Sequence, residues 1–172
     1  MNTNYKLRLA TLEDAYKIWT VMDTCFQALE HKEYFICDDL DYVKDILSGH
    51  GFGIVACDTD GTIVGNLLVK YPGVTKENLG YDVSLPTEEL GKVLHMDSAT
   101  VLPEHRCHGL EAKMISFAET LVDTSKYRYS FATVAPENLA SLKSLERNGY
   151  EVMITKEKYG RFLRNVMMKK LS

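Results

Sequence analysis

Within residues 93–122 the chain changes hydrophobic period once, and that change constrains its fold more than any other feature. Residues 93–102 are apolar and β-branched in the manner of a strand that stops at Pro103. Residues 109–122 instead place Leu110, Met114, Phe117 and Leu121 along one stripe of a helix. Between the two lies V-L-P-E-H-R-C-H-G-L-E-A (residues 101–112), in which a short loop holding Arg106 and Gly109 joins strand to helix directly. Such a junction belongs to a layered α/β domain. It also aims free backbone N–H groups and the positive end of a helix dipole at one point, where a phosphate or pyrophosphate binds. Gly109, lacking a Cβ, lets the backbone approach that ligand closely. An ordinary strand–loop–helix connection reads the same way, so this segment alone does not decide.

The flanking sequence fills in a pattern of alternating elements. Residues 5–10 read as a strand. Thr11 opens T-L-E-D, a helix start in which Asp14 reaches back. Ala15, Ile18, Trp19, Met22 and Phe26 then form an amphipathic stripe, and a second helix is predicted over 39–47 with Val43, Ile46 and Leu47 inward. Two apolar runs, 52–57 and 62–70, joined by Asp58-Thr59-Asp60-Gly61, predict a hairpin. Residues 71–92 are long, polar and broken by Pro72, Gly73, Gly80 and Pro86, which predicts a functional or mobile loop. After the 109–122 helix come a strand (128–134), a helix (139–148) stopped by Gly149, and two closing strands. The order β-α-α-β-β-β-α-β-α-β-β predicts one mixed, mostly antiparallel sheet of about seven strands with helices on both faces.

Composition narrows the function classes. A length of 172 residues suits one domain spanning the whole chain. The net charge of -4, with no Lys/Arg block, argues against nucleic acid as a partner. No stretch is apolar enough for a secretory signal or a membrane span, and Cys25, Cys37, Cys57 and Cys107 form no C-x-x-C pair. No metal and no membrane partner is expected, and the cytoplasm is the expected compartment.

A second segment adds to the first. Ala135-Pro136-Glu137-Asn138 closes a strand and opens a helix, and Asn138-x-x-Ser141 runs on to Arg147-Asn148-Gly149-Tyr150. Together the two segments resemble the GNAT superfamily of acyl-CoA N-acyltransferases, over nearly the whole chain, and specifically its bacterial members of unassigned substrate. Val101, Pro103, Arg106 and Gly109 match the family's V-x-P-x-x-[RQ]-x-x-G-x-[GA] pattern, and Asn138, Gly149 and Tyr150 match its later positions.

The resemblance implies acetyl-CoA as co-substrate, with its pyrophosphate on Arg106, Cys107, His108, Gly109, Leu110, Glu111 and Ala112. It implies that Asn138 meets the pantetheine arm, with Ser141 counted beside it, and that backbone amides at Ala99, Thr100 and Val101 polarise the thioester carbonyl. Two departures stand out. Glu111 occupies the last Gly/Ala place of the loop, and Leu145 sits where many members carry a tyrosine that protonates the leaving thiolate.

Strand alternation places His95, Asp97, Ala99 and Val101 on one face. His95 and Asp97 stand where one branch of the family carries a proton-relaying histidine pair, so they are the candidate bases. A rim histidine and a hydrogen-bonded strand aspartate are the competing reading. Tyr159 is the candidate proton donor in place of Leu145; otherwise it packs a turn. His105 and His108 flank Arg106 and are placed to touch phosphate. Cys107, at a helix start, admits an acyl-cysteine route. Asp38, Asp39 and Asp41 form an acidic cluster suited to a cationic acceptor or to capping a helix, and Tyr34, Phe35 and Tyr81 are candidates for an aromatic wall.

The function these features imply is acetyl transfer to a primary amine of a small molecule, amino acid or peptide by direct attack. Two other readings stay open: a non-catalytic acyl-CoA-binding sensor, and a protein lysine or N-terminal acetyltransferase. The family likeness also implies pairing as a homodimer.

Overall fold

The computed structural model describes residues 4–172. Its strands are β1 (Lys6–Leu9), β2 (Gly51–Cys57), β3 (Ile63–Lys70), β4 (Val93–Val101), β5 (Tyr129–Val134), β6 (Glu151–Lys158) and β7 (Phe162–Lys170). They form a seven-stranded sheet in the order β1-β2-β3-β4-β5-β7-β6. Every neighbouring pair is antiparallel except β4–β5. The helices are α1 (Ala15–Gln27), α2 (Leu40–Asp45), α3 (Thr87–Leu90), α4 (Leu110–Leu121) and α5 (Leu139–Arg147). The expected sheet flanked by helices on both faces is observed. No helix among the described residues is long and apolar enough to cross a membrane.

Consecutive residues of the central strands serve opposite faces, which is why β2 and β3 read as unbroken apolar runs. Val55 and Leu68 pack with Ile18, Met22, Val43 and Ile46 of the α1–α2 layer. Ile54, Leu67 and Val69 pack with Leu110, Met114 and Ile115 of α4 on the other side. The α1 stripe is rotated slightly from the expected one: Val21 and Cys25 are buried where Trp19 and Phe26 are only half-buried. The helix start at Thr11 forms as expected, with Asp14 accepting the Thr11 N–H at 2.8 Å.

Residues 71–92 are more ordered than their composition suggests. Asn78, 1% exposed, holds them together. Its amide donates to the carbonyls of Gly73 and Leu90, and its Oδ1 accepts the Gly80 N–H at 2.8 Å. A tight helical turn (Leu79–Val83) and α3 form around this centre.

The feature that makes a site is the partial divorce of β4 from β5. The two strands pair only through Val93–Tyr129, Leu94–Ser130 and His95–Phe131, then separate. At the same point β4 bulges against β3: Val69 faces Met96 and Leu68 faces Ser98, so Asp97 is the extra residue. The bulge corrects the expected single face of His95, Asp97, Ala99 and Val101. Leu94 and Met96 lie on the α4 side before it, and Ala99 and Val101 lie on that side after it. His95 therefore faces away from Ala99 and Val101, and Asp97 sits at the turning point.

Candidate functional site

Two cavities meet where β4 and β5 separate. The larger, about 600 Å³, runs from β4 past the start of α4 to α5. The smaller, about 360 Å³, lies between the segment before α2, the end of β3 and the β6–β7 turn. Asp97, Ser98, Thr133, Tyr34 and Phe35 line both, so they form the wall the cavities share.

The larger cleft is built by the 101–112 segment. Among the described residues, the backbone N–H groups of residues 107 to 112 have no hydrogen-bond acceptor, whereas His105, Arg106 and Lys113 donate to Leu102, Pro103 and Gly109. Cys107 and Gly109 both adopt left-handed backbone, φ 65° and 67°, which turns these donors toward one side. An added Cβ at Gly109 would meet nothing within 4 Å, so the loop there is open rather than packed. Arg106 Nε donates to the Val101 carbonyl at 3.1 Å and pins the loop to the end of β4. Lys143 and Arg147 on α5 add positive charge to the same cleft.

Of the residues expected to hold the cofactor, all line this cleft except His108 and Ala112. The His108 ring packs edge-on against Tyr5, and the Ala112 carbonyl accepts from the Asn148 amide at 3.0 Å. His105 shares a hydrogen bond with the Tyr5 hydroxyl at 3.0 Å. Glu111 turns toward α5 and accepts from the Ser141 hydroxyl at 2.6 Å. Burial pushes its carboxyl above the usual range, with the Ser141 and Ser144 hydroxyls opposing that shift. Asn138 caps α5, its side-chain oxygen accepting the Ser141 N–H at 3.4 Å. Leu145 is buried in the core and offers no proton.

Along residues 97–101 the β5-facing edge of β4 has no ladder partner. The Leu102 N–H donates across to Val64 beside β3, so strand alternation turns the Thr100 N–H toward β3 as well and leaves, of the three expected amides, those of Ala99 and Val101 facing the gap, free to polarise a carbonyl placed there.

The smaller cavity is lined by charged side chains from distant parts of the chain. Tyr42 donates its hydroxyl to Asp97 Oδ2 at 2.7 Å. Burial raises the Asp97 carboxyl above its ordinary value, against the Tyr42 hydrogen bond and the Lys70 ammonium. Burial and then the charge of Asp97 push Asp38 up to about 6. The acidic cluster thus divides by role: Asp38 faces the cavity, Asp39 caps α2 by accepting the Tyr42 N–H at 2.9 Å, and Asp41 is exposed. Tyr34 and Phe35 line the cavity, whereas Tyr81 is half-exposed elsewhere and donates to the Val74 carbonyl.

His95 does not form the expected relay with Asp97. Its Nε2 accepts the Leu79 N–H at 3.1 Å, so the acceptor nitrogen is already engaged. Burial, then the positive charges of Lys70 and Lys158, push its pKa down to about 3. A ring so placed anchors the 71–92 segment to β4 and stays neutral. Tyr159 does reach the shared wall: its hydroxyl lies 3.0 Å from Thr133 Oγ1. The ring is half-exposed while the hydroxyl is tucked in, and burial keeps it protonated above the ordinary tyrosine range.

Sequence reasoning missed Tyr42, Lys70, Glu77 and Arg164, all of which line this cavity. None of them belongs to a local motif, and they meet only because the sheet brings α2, β3 and β7 together.

The model of the acetyltransferase (GNAT) family matches residues 12–150. No curated protein matches the chain. Among solved structures, YncA of Salmonella typhimurium, with its cofactor acetyl-CoA, is similar at 17% identity and a TM-score of 0.72, over 98% of this chain and 95% of that one. Naa20 of Chaetomium thermophilum in complex with a bisubstrate analogue shares 18% identity with a TM-score of 0.73, over 96% of this chain and 86% of that one. The ribosomal-protein-S18-alanine N-acetyltransferase of Escherichia coli shares 10% identity with a TM-score of 0.71, over 98% and 95%. At these identities the likeness is one of fold.

Proposed function

The chain belongs to the acetyltransferase (GNAT) family, and on that premise we propose that it carries acetyl from acetyl-CoA to the primary amine of a small molecule. The observation that carries this reading is the shared wall at Asp97. On one side lies a run of free N–H groups suited to a diphosphate, and on the other a cavity walled by carboxylates suited to an amine. A volume of about 360 Å³ fits a small acceptor better than a folded protein surface.

Acetyl-CoA supplies the activated thioester. The N–H groups of residues 107 to 112 hold its diphosphate, and Arg106, Lys143 and Arg147 add positive charge around it. Glu111 does not oppose that anion, because it is turned to Ser141 and its burial favours the protonated form. The free amides along 97–101 stabilise charge that develops on the carbonyl oxygen.

Asp97 takes the proton that the amine sheds as the nitrogen–carbon bond forms and the carbon–sulfur bond breaks. Its raised pKa makes it a stronger base than an ordinary carboxylate, and Tyr42 holds it in place. Tyr159 gives the leaving thiolate a proton, the part that Leu145 cannot play. His95 and Leu79 keep the wall in register. The sensor reading loses ground on this arrangement, because a cofactor sensor has no use for a buried carboxylate on the acceptor side.

Calorimetric titration with acetyl-CoA, followed by thiol release against a panel of amines, tests the proposal. Binding together with amine-dependent release supports it. Absence of acetyl-CoA binding sinks it, and binding without release by any amine sinks the transfer step.

A further inference from the structure

The smaller cavity holds charges of both signs that have no partner. Asp38 and Asp97 line it, and among the described residues no cation lies within ion-pair distance of either. Lys70, whose charge acts on both carboxylates, is itself paired with Glu77 at 3.2 Å. Across the same cavity lies Arg164, only 4% exposed. Its guanidinium donates to two backbone carbonyls, those of Leu163 and Glu33, and to no carboxylate. The rings of Phe162 and Tyr159 flank it, with centroids 5.5 and 6.0 Å from Cζ.

Each of these features is unfavourable alone. An arginine keeps its charge under any folding condition, and burying it without a counter-ion is destabilising. Its planar fork offers five N–H donors, of which two carbonyls engage two. The two carboxylates likewise sit beside each other, and the Lys70 ammonium, paired with Glu77, offsets their repulsion only in part. Aromatic faces stabilise the guanidinium in part, but they do not direct it. A ligand bearing an ammonium at one end and a carboxylate at the other relieves all three at once.

We propose that the acceptor is a zwitterion, a free α-amino acid or an equally short amino carboxylate, whose carboxylate is held by Arg164 while its amine faces Asp97 and Asp38. This rests on the transfer reading above and names the substrate class for it. The fork of Arg164 suits bidentate pairing with a carboxylate. In a longer peptide the carboxylate lies too far from the amine for Arg164 and Asp97 to engage both across one cavity of about 360 Å³. Arg164 is then a specificity residue: it fixes which amine is presented to the thioester and takes no part in proton transfer.

The experiment compares three acceptor classes at saturating acetyl-CoA: the twenty standard amino acids, their carboxamides and their decarboxylated amines. The expected result is a kcat/KM for the best amino acid about 30-fold or more above that of its carboxamide and its decarboxylated amine. In Arg164→Met the KM for the amino acid rises by about the same factor, while kcat/KM for the decarboxylated amine changes less than about threefold. Arg164→Lys restores part of the discrimination, which a merely structural role for Arg164 would not require. Acetyl-CoA affinity of each variant reports whether the fold is intact, and the comparison on the unaltered protein stands even if a variant misfolds. Turnover of amines or carboxamides as fast as amino acids overturns the zwitterion and leaves the transferase standing. Failure of all three classes overturns both.

Discussion

The two cavities are built in opposite ways. The larger takes its donors from consecutive residues: a strand ends, a loop turns twice through left-handed backbone, and α4 begins, with N–H groups 107 to 112 presented as a set. The smaller gathers four side chains from the segment before α2, three from β4, and one or two each from α2, the end of β3, residues 71–92, β5, the β6–β7 turn and β7. The first is a backbone site, tolerant of side-chain identity at most positions. The second is a side-chain site, in which each charge comes from a different element and depends on the packing of all. On the proposed reading cofactor binding belongs to the backbone region and acceptor selection to the other, and the variants below test whether the two are separable.

Asp97→Asn is the sharpest test. It removes the proton acceptor at the shared wall while keeping shape and the Tyr42 hydrogen bond. Turnover should fall by about 10²- to 10⁴-fold, the range for losing a general base. Acetyl-CoA affinity, measured by calorimetry, should stay within about threefold of the original. Loss of cofactor binding in this variant would mean that the cavities are one unit, and the division drawn above would not hold.

The side-chain region should also be the acid-sensitive one, through His95. Its folded pKa of about 3 lies below the ordinary 6.5, so between those values the unfolded chain binds a proton that the native protein does not. Stability from this group is complete above 6.5 and is lost as pH falls toward 3, by about 1.4 kcal/mol per pH unit at most. Asp97 and Asp38, whose pKa values are raised, contribute in the opposite sense. The difference between the parent and His95→Gln isolates the histidine: denaturant unfolding at pH 7, 6, 5 and 4 should show a shallower acid loss in the variant. Parallel curves would show that burial does not hold His95 neutral in the folded protein.

On the backbone side, Gly109→Val should weaken acetyl-CoA binding about tenfold. No atom blocks the new Cβ; the penalty comes from holding a β-branched residue at φ 67°, about 1–3 kcal/mol. At saturating acetyl-CoA the amine dependence should be unchanged, since the variant lies outside the side-chain cavity. A change in amine KM instead would couple the regions.

This contrast also explains what could be read from the sequence. The elements and their order follow from local periodicity, and the strand–loop–helix segment 101–112 is a contiguous motif, so both were visible. The Asp97 bulge was not, because a bulge belongs to the pairing of β3 with β4 and neither strand alone encodes it. That one extra residue overturned the expected shared face and separated His95 from Ala99 and Val101. The order in residues 71–92 was hidden for a similar reason: Asn78 reads as a loop residue until its amide is seen bridging Gly73 and Leu90, twelve residues beyond it. Arg164 gave no signal at all, since an arginine in a closing strand is ordinary until its neighbours prove to lack a carboxylate.

The smallest expected effect tests the one side chain that a backbone site ought not to tolerate. Glu111 sits in the loop proposed to face a diphosphate, where an ionised carboxylate would repel the ligand. Its contact with Ser141 shows that it is turned aside, and its burial favours the protonated form against the opposing pull of that hydrogen bond. Glutamine has nearly the same shape and is neutral, so Glu111→Gln should bind acetyl-CoA within about threefold of the parent at pH 7. If the carboxylate were ionised and faced the ligand, removing its charge would tighten binding by about tenfold or more. The same titration at pH 6 and pH 8 separates the cases further. A neutral Glu111 gives parallel affinities for parent and variant across that range, whereas an ionising one makes the parent alone weaken as pH rises.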